Sequence, residues 1–520
     1  MSDLDLAPRP DAAQPSTPAY TRLHDRFAEM DAINGAVGVL DWDRSTFMPE
    51  GGSEARGKQL TALSLIRHRM ITDPALGDWF NDAAEEQSAG KLTDWQAANL
   101  REMKHRWVHE TALPEDLVAA FTAASNTGEM TWREARANSD WKLLEPAMAE
   151  IIRLNREAAA VKSEALGVSP YEAMMDKFEP GLREDRVKDL FDDLAAFLPG
   201  AIEQAMTHQS EQREPHDLGA SVHEDAQREM ALELMKVVGF DFNRGRLDTS
   251  LHPFCGGTPS DVRITTRYNE ADPFVALMGV MHETGHAMYE LGLPGDWLDQ
   301  PVGSARGMTL HESQSLLVEM QAGRSWQFMQ WMAGRARHHF HREGPAWEAE
   351  ELYRRLIHVK PDFIRVDADE ITYPAHIILR TRMEQAMIGG QMEAADMPGA
   401  INDGMKELLG ITPPDDRRGV LQDIHWPSGW MGYFPTYTLG ALSAAQLFTS
   451  ATAERPEILT ELQKGSFATL MQWLGEKVHS RASFHATSDE VLEQATGSAL
   501  TTEAWKAHIG RRYLGQGDQG

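Results

Sequence analysis

Along most of the chain, apolar residues return every three or four positions. Leu144, Met148, Ile151 and Ile152 form one such face, the spacing of an amphipathic helix. The same period runs through about 20–40, 93–110, 184–208, 223–239, 309–340, 366–390, 440–453 and 465–481. No fixed-period repeat and no Gly/Ser linker interrupts it. The pattern predicts a mostly α protein with one large helical domain over 19–515, rather than several small ones. Residues 1–18 carry prolines at 8, 10, 15 and 18 and little apolar content, which predicts a disordered tail.

One stretch departs from the helical period. Arg246–Phe254 and Val262–Tyr268 are rich in Thr, Leu, Val and Ile and flank the run Cys255-Gly256-Gly257-Thr258-Pro259-Ser260. Two strands joined by a turn are expected there, as a small β-element; an irregular loop is the alternative.

Asp272-Pro273 then reads as a helix start, with Asp at the N-cap and Pro at the first helical position. Phe274, Leu277, Met278, Met281, Met288 and Leu291 continue the helical spacing until Gly292 and Pro294 stop it. Inside lies His282-Glu283-Thr284-Gly285-His286. Residues four apart share a helix face, so His282 and His286 can aim imidazole nitrogens at one ion, and zinc takes such ligands. Glu283 beside them can act as general base on a water acidified by the metal. Two helix histidines with ordinary hydrogen bonds are the plainer alternative, which the capped, apolar setting disfavours.

The third ligand must come from elsewhere. Glu290 lies about 12 Å along the axis from His282 at 1.5 Å per residue, too far for all three groups to converge. Asp296, Asp299, Glu312 and Glu319 follow downstream. Glu312 has a rival reading, because Thr309 to Glu312 is a T-x-x-E capping box. Spacing alone leaves the cap and the ligand evenly balanced.

Composition narrows the class. The 520 residues hold 50 basic and 79 acidic side chains, a formal net charge of −29, which repels nucleic acid and anionic membranes. The longest apolar runs, such as Phe274–Met281, fall far short of the ~20 residues of a membrane span. Cys255 is the only cysteine, so an intrachain disulfide and a cysteine-built metal site are excluded. With no basic, apolar leader in MSDLDLAPRP, a cytoplasmic location is expected.

Several motifs together resemble the carboxypeptidase Taq family of zinc metallocarboxypeptidases. They are His252-Pro253-Phe254, Asp261-Val262-Arg263-Ile264-Thr265, the His282–His286 motif, His311-Glu312-Ser313, Ile364-Arg365-Val366-Asp367-Ala368-Asp369, and Gly419-Val420-Leu421-Gln422-Asp423-Ile424-His425-Trp426. Asp41-Trp42-Asp43, Pro49-Glu50-Gly51-Gly52 and Glu179-Pro180-Gly181 are weaker matches. The resemblance implies a mostly helical single domain with a deep active-site cleft, a cytoplasmic homodimer, and removal of single residues from peptide C-termini with broad specificity. It implies one zinc per chain, with cobalt able to substitute, and it favours Glu312 as the third ligand. Pro374, after Thr372-Tyr373, departs from the family pattern and leaves the local helix geometry open.

The remaining candidates follow from chemistry read beside that resemblance. Arg365 offers a planar fork for a substrate carboxylate; the alternative is an ion pair with Asp367 or Asp369. His425 and Tyr433 lie in a Gly- and aromatic-rich stretch where donors can face an oxyanion, or merely pack. The strand Asp261–Thr265 could offer an exposed edge to an extended peptide, with a structural role for Arg263 as the alternative. Cys255 reads as a small buried residue, and Trp42 and Trp141 as core. The expected partners are peptides with a free C-terminus, with no nucleic acid and no membrane. Rival readings are a zinc oligopeptidase or endopeptidase, and a catalytically silent helical metal-binding protein.

Overall fold

The structure is a computed structural model that describes residues 17–516. The expected tail lies outside the described residues up to 16; Pro18 already occupies the first turn of the helix Pro18–Thr46. The described residues form two compact units, each drawn from separate stretches of the chain. One takes residues up to Glu110, Pro215–Leu356 and Ser443–Leu500; the other takes Thr111–Glu214, Ile357–Leu442 and the residues from Thr501 onward.

The first unit contains a three-stranded sheet of β1 (Gly245–Thr249), β2 (Phe254–Thr258) and β3 (Asp261–Thr266), in the order β1-β3-β2. β1 runs parallel and β2 antiparallel to β3. This corrects the expectation of two strands. The glycines at 256 and 257 read as a breaker, but they lie within β2, and the turn to β3 is only Pro259-Ser260. Gly257 has φ of +92°, and a Cβ there would sit 2.1 Å from the Asp261 carbonyl oxygen, so only glycine allows this hairpin. β3 is central, so Asp261–Thr265 is not an exposed edge.

Arg263 of β3 pairs with Asp261 at 2.6 Å and lays its guanidinium 4.4 Å from the Trp42 ring. Arg246 of β1 lies 5.2 Å from the same ring. Trp42 is buried, and these cation–π contacts, each worth about 0.5–2 kcal/mol, tie the first helix to the sheet. The helix Pro273–Leu291 packs against β3, and Leu277, Met281 and Ile264 are all fully buried.

The second unit is helical among its described residues. The face read from Leu144, Met148, Ile151 and Ile152 is buried in the helix Trp141–Leu166. Glu370 fastens the last helix, Glu503–Tyr513, through His508 at 3.0 Å, Arg512 at 3.1 Å and Tyr513 at 2.6 Å. Pro374 sits in the first turn of the helix Tyr373–Ile388, where no intrahelical N–H is required, so the helix is undisturbed. The apolar window at 366–390 begins before this helix because Arg365–Asp367 is a separate 3₁₀ turn. No helix among the described residues is long and apolar enough to cross a membrane.

Candidate active site

In the first unit, Asp272 caps the helix Pro273–Leu291, its carboxylate accepting from the Phe274 N–H at 3.1 Å. His282 and His286 stand one turn apart on this helix, ring centroids 5.0 Å apart. The helix Gly307–Leu316 packs across it at Gly285, where a Cβ would come within 2.4 Å of the Gln314 carbonyl oxygen. That missing side chain lets the two backbones close in and brings Glu312 to the histidines. The capping box is not formed: Arg306 is the N-cap residue, and Thr309 lies inside the helix.

Glu312 Oε2 lies 3.4 Å from His286 Nε2 and 3.8 Å from His282 Nε2. One ligand atom from each residue falls within 4.8 Å of the other two. The outer hydrogen bonds fix which nitrogen faces inward. His282 Nδ1 donates to Glu319 at 3.0 Å. His286 Nδ1 donates to His311 Nδ1 at 2.6 Å, and His311 Nε2 donates to Glu290 at 2.8 Å. Each imidazole therefore turns its Nε2 towards the carboxylate. Two imidazole nitrogens and a carboxylate oxygen thus converge within reach of one ion, so this donor set fits a divalent metal.

Burial would raise the Glu312 carboxyl, but His282 and His286 reverse the effect and hold it at about 2. Burial pushes Glu283 the other way, up to about 7, against the pull of His282. Cys255 is partly buried, and burial raises its thiol well above the ordinary value, which is the wrong direction for a nucleophile.

Glu290, Glu319 and His311 are the parts that spacing alone did not assign. Glu290, set aside as a ligand on axial distance, ends the hydrogen-bond chain through His311. Glu319 sits in a π-helical stretch, Leu317–Gly323, whose wider turn lies within the predicted 309–340 helix. Such stretches are common at functional sites.

In the second unit, Arg365 is buried and points at Asp423, not at Asp367 or Asp369. Its Nε and Nη2 donate to Asp423 Oδ1 at 3.0 and 2.8 Å, and Nη1 donates to the Tyr373 hydroxyl at 2.8 Å. One hydrogen on each of Nη1 and Nη2 lies beyond these contacts. Arg380 donates to the other Asp423 oxygen at 2.6 Å. His425 and Tyr433 come together, ring centroids 6.1 Å apart. Burial pushes His425 down to about 4, so at neutral pH it is an uncharged imidazole with one N–H to donate. Tyr437, which the sequence reading passed over, brings its hydroxyl 3.5 Å from His425 Nε2 and its ring 5.3 Å from the Arg365 guanidinium.

The comparisons with known proteins give the family. Residues 22–513 match the Carboxypeptidase Taq (M32) metallopeptidase family. The chain belongs to this family. It is 34% identical to thermostable carboxypeptidase 1 of Thermus thermophilus, over 95% of this chain and 98% of that one. It is 31% identical to carboxypeptidase 1 of Bacillus subtilis, covering 94% and 97%. Among solved structures, metallocarboxypeptidase 1 of Trypanosoma cruzi matches with a TM-score of 0.93 at 37% identity, covering 95% of this chain and 99% of that one. The protein is therefore a metallocarboxypeptidase, a mostly helical peptide hydrolase that needs a divalent metal.

Proposed function

We propose that this M32 carboxypeptidase is a zinc enzyme that releases C-terminal residues from peptides with broad specificity. His282, His286 and Glu312 hold one zinc per chain, and cobalt can replace it. The observation that carries this reading is the convergence of two imidazole Nε2 atoms and a carboxylate oxygen, with both Nδ1 atoms hydrogen-bonded outward. Bound there, zinc supplies a Lewis acid that acidifies water and polarises the scissile carbonyl.

The protein's own groups do the rest. Glu283 takes a proton from the attacking water as the new C–O bond forms. It passes that proton to the departing amine as the C–N bond breaks. His425 and Tyr433 donate hydrogen bonds to the oxyanion that develops between those events. Arg365, steadied by Asp423 and Tyr373, spends its remaining Nη1 and Nη2 hydrogens on the substrate's C-terminal carboxylate. Residues 19–515 make up the catalytic domain in this reading, acting as a homodimer in the cytoplasm.

The test is mass spectrometry of a mixed peptide digest incubated with the metal-loaded protein. A ladder of single C-terminal losses is expected. Internal cleavage, or efficient cutting of amidated peptides, would favour an oligopeptidase; no turnover at all would favour a silent metal-binding protein. Metal analysis of Glu312→Ala should show lost zinc, and wild-type stoichiometry would return Glu312 to a structural role.

A further inference from the structure

The helix Tyr373–Ile388 grips the segment that carries His425 and Tyr433 at two points one turn apart. Arg380 holds Asp423, two residues before His425. Glu384 holds the segment again further along. Its Oε1 accepts from the Trp426 indole N–H at 2.8 Å, directly after His425. Its Oε2 accepts from the Gly432 backbone N–H at 2.9 Å, directly before Tyr433, and from the Tyr171 hydroxyl at 2.9 Å. Glu384 is fully buried, with Trp426 and Tyr171 nearly so.

Gly432 cannot move away from this contact easily. Its φ is +89°, and a Cβ there would lie 2.6–2.7 Å from the backbone of Met174 and Met175. The segment is thus pressed against one helix and tethered to a carboxylate on another. We propose that Glu384 is a positioning residue for the peptidase reaction, holding His425 and Tyr433 where the oxyanion develops.

A purely structural acid is an uneconomical choice for this site. Burial pushes the Glu384 carboxyl up to about 7, against the pull of the Gly432, Trp426 and Tyr171 donors. A buried carboxyl kept at that cost belongs where geometry matters. All three bonds run into this one acid, and two of them come from residues adjoining the proposed donors.

The inference rests on the oxyanion role of His425 and Tyr433, so the experiment separates the two. Glu384→Gln has a built-in conflict. Its amide can accept from Gly432 only by turning its NH₂ towards the Trp426 N–H, and the reverse orientation sets NH₂ against Gly432. Trp426→Phe removes the competing N–H and should release that conflict.

Steady-state kinetics on a free-acid peptide, with metal content and thermal midpoint measured on each protein, make the test. For Glu384→Gln we expect kcat to fall about 10- to 100-fold, the range of displaced transition-state donors, with KM within about twofold and zinc unchanged. The double variant Glu384→Gln/Trp426→Phe should recover kcat to within about threefold of Trp426→Phe alone. A structural role would lower the midpoint and the active fraction without that split or rescue.

A folded Glu384→Gln enzyme with wild-type kcat overturns the proposal, as does a loss that the double variant fails to repair. If Glu384→Gln alone does not fold, the double variant against Trp426→Phe carries the comparison, and a deficit above about tenfold overturns it. Tyr433→Phe and His425→Gln report separately on the oxyanion reading. If neither lowers kcat, that reading fails. If they lower kcat while Glu384→Gln does not, only the positioning role fails.

Discussion

Arg365→Lys is the sharpest test of how a chain end is recognised. In the structure the guanidinium spends Nε and Nη2 on Asp423 and one Nη1 hydrogen on Tyr373, at 2.8–3.0 Å. Two hydrogens remain for a substrate carboxylate. An ammonium has its donors on a single atom. It keeps the positive charge beside Asp423 but cannot also span Tyr373 and a bidentate ligand. Each charge-assisted hydrogen bond is worth about 1.5–3 kcal/mol. Losing two, with part returned by the lysine charge, should cost about 3 kcal/mol, or about a hundredfold in kcat/KM at 1.4 kcal/mol per tenfold. The assay is a matched pair of peptides, one with a free C-terminal acid and one amidated, run on wild type and variant. The amidated peptide never uses the contact, so only the acid should suffer, and the acid-to-amide ratio should collapse. An unchanged ratio with a lowered thermal midpoint would make Arg365 a structural partner of Asp423 and Arg380, and another cation would have to anchor the carboxylate.

Glu283→Gln should keep zinc and fold but lose about 10²–10⁴-fold in kcat, the usual effect of removing a general base; substantial activity in a preparation free of wild type contradicts the mechanism. His311→Leu removes the acceptor for His286 Nδ1 and should weaken zinc about 10- to 100-fold, read by chelator competition, and an unchanged affinity would make the relay incidental. Glu370→Gln should destabilise the protein by about 3 kcal/mol at pH 7, since it breaks a buried charged cluster. Burial raises the Glu370 carboxyl, but His508 and Arg512 hold it well below the ordinary range. A depressed carboxyl adds stability above the unfolded value of about 4.3 and loses it as pH falls towards the folded one. Urea melts should therefore show the wild-type advantage shrinking below about pH 4.3, and a gap constant from pH 7 to pH 3 would refute the assignment.

Local chemistry made the His282 helix legible. Its Asp-Pro start, apolar face and histidine pair are all encoded within twenty residues or so, the range over which helix capping and the 3.6-residue period act. The same range let axial distance exclude Glu290 as a ligand. It could not distinguish a capping box from a metal group at Glu312, because that depends on Gly285 letting another helix approach. Nor could it assign Glu290 to His311, since that partner lies 21 residues away. β2 was missed because Gly256-Gly257 looks like a breaker until β3 supplies hydrogen bonds along it.

Arg365 shows the limit most clearly. The sequence offered its nearest acids, Asp367 and Asp369, whereas its partner is Asp423, 58 residues on. Glu384 carries no recognisable motif, and its role exists only as the meeting of three distant donors. Periodicity, caps and motif spacing determined the helices and the donor types. Which buried charges face one another was decided by tertiary packing, because burial makes partner choice costly to get wrong, and that cost is set by the folded chain as a whole.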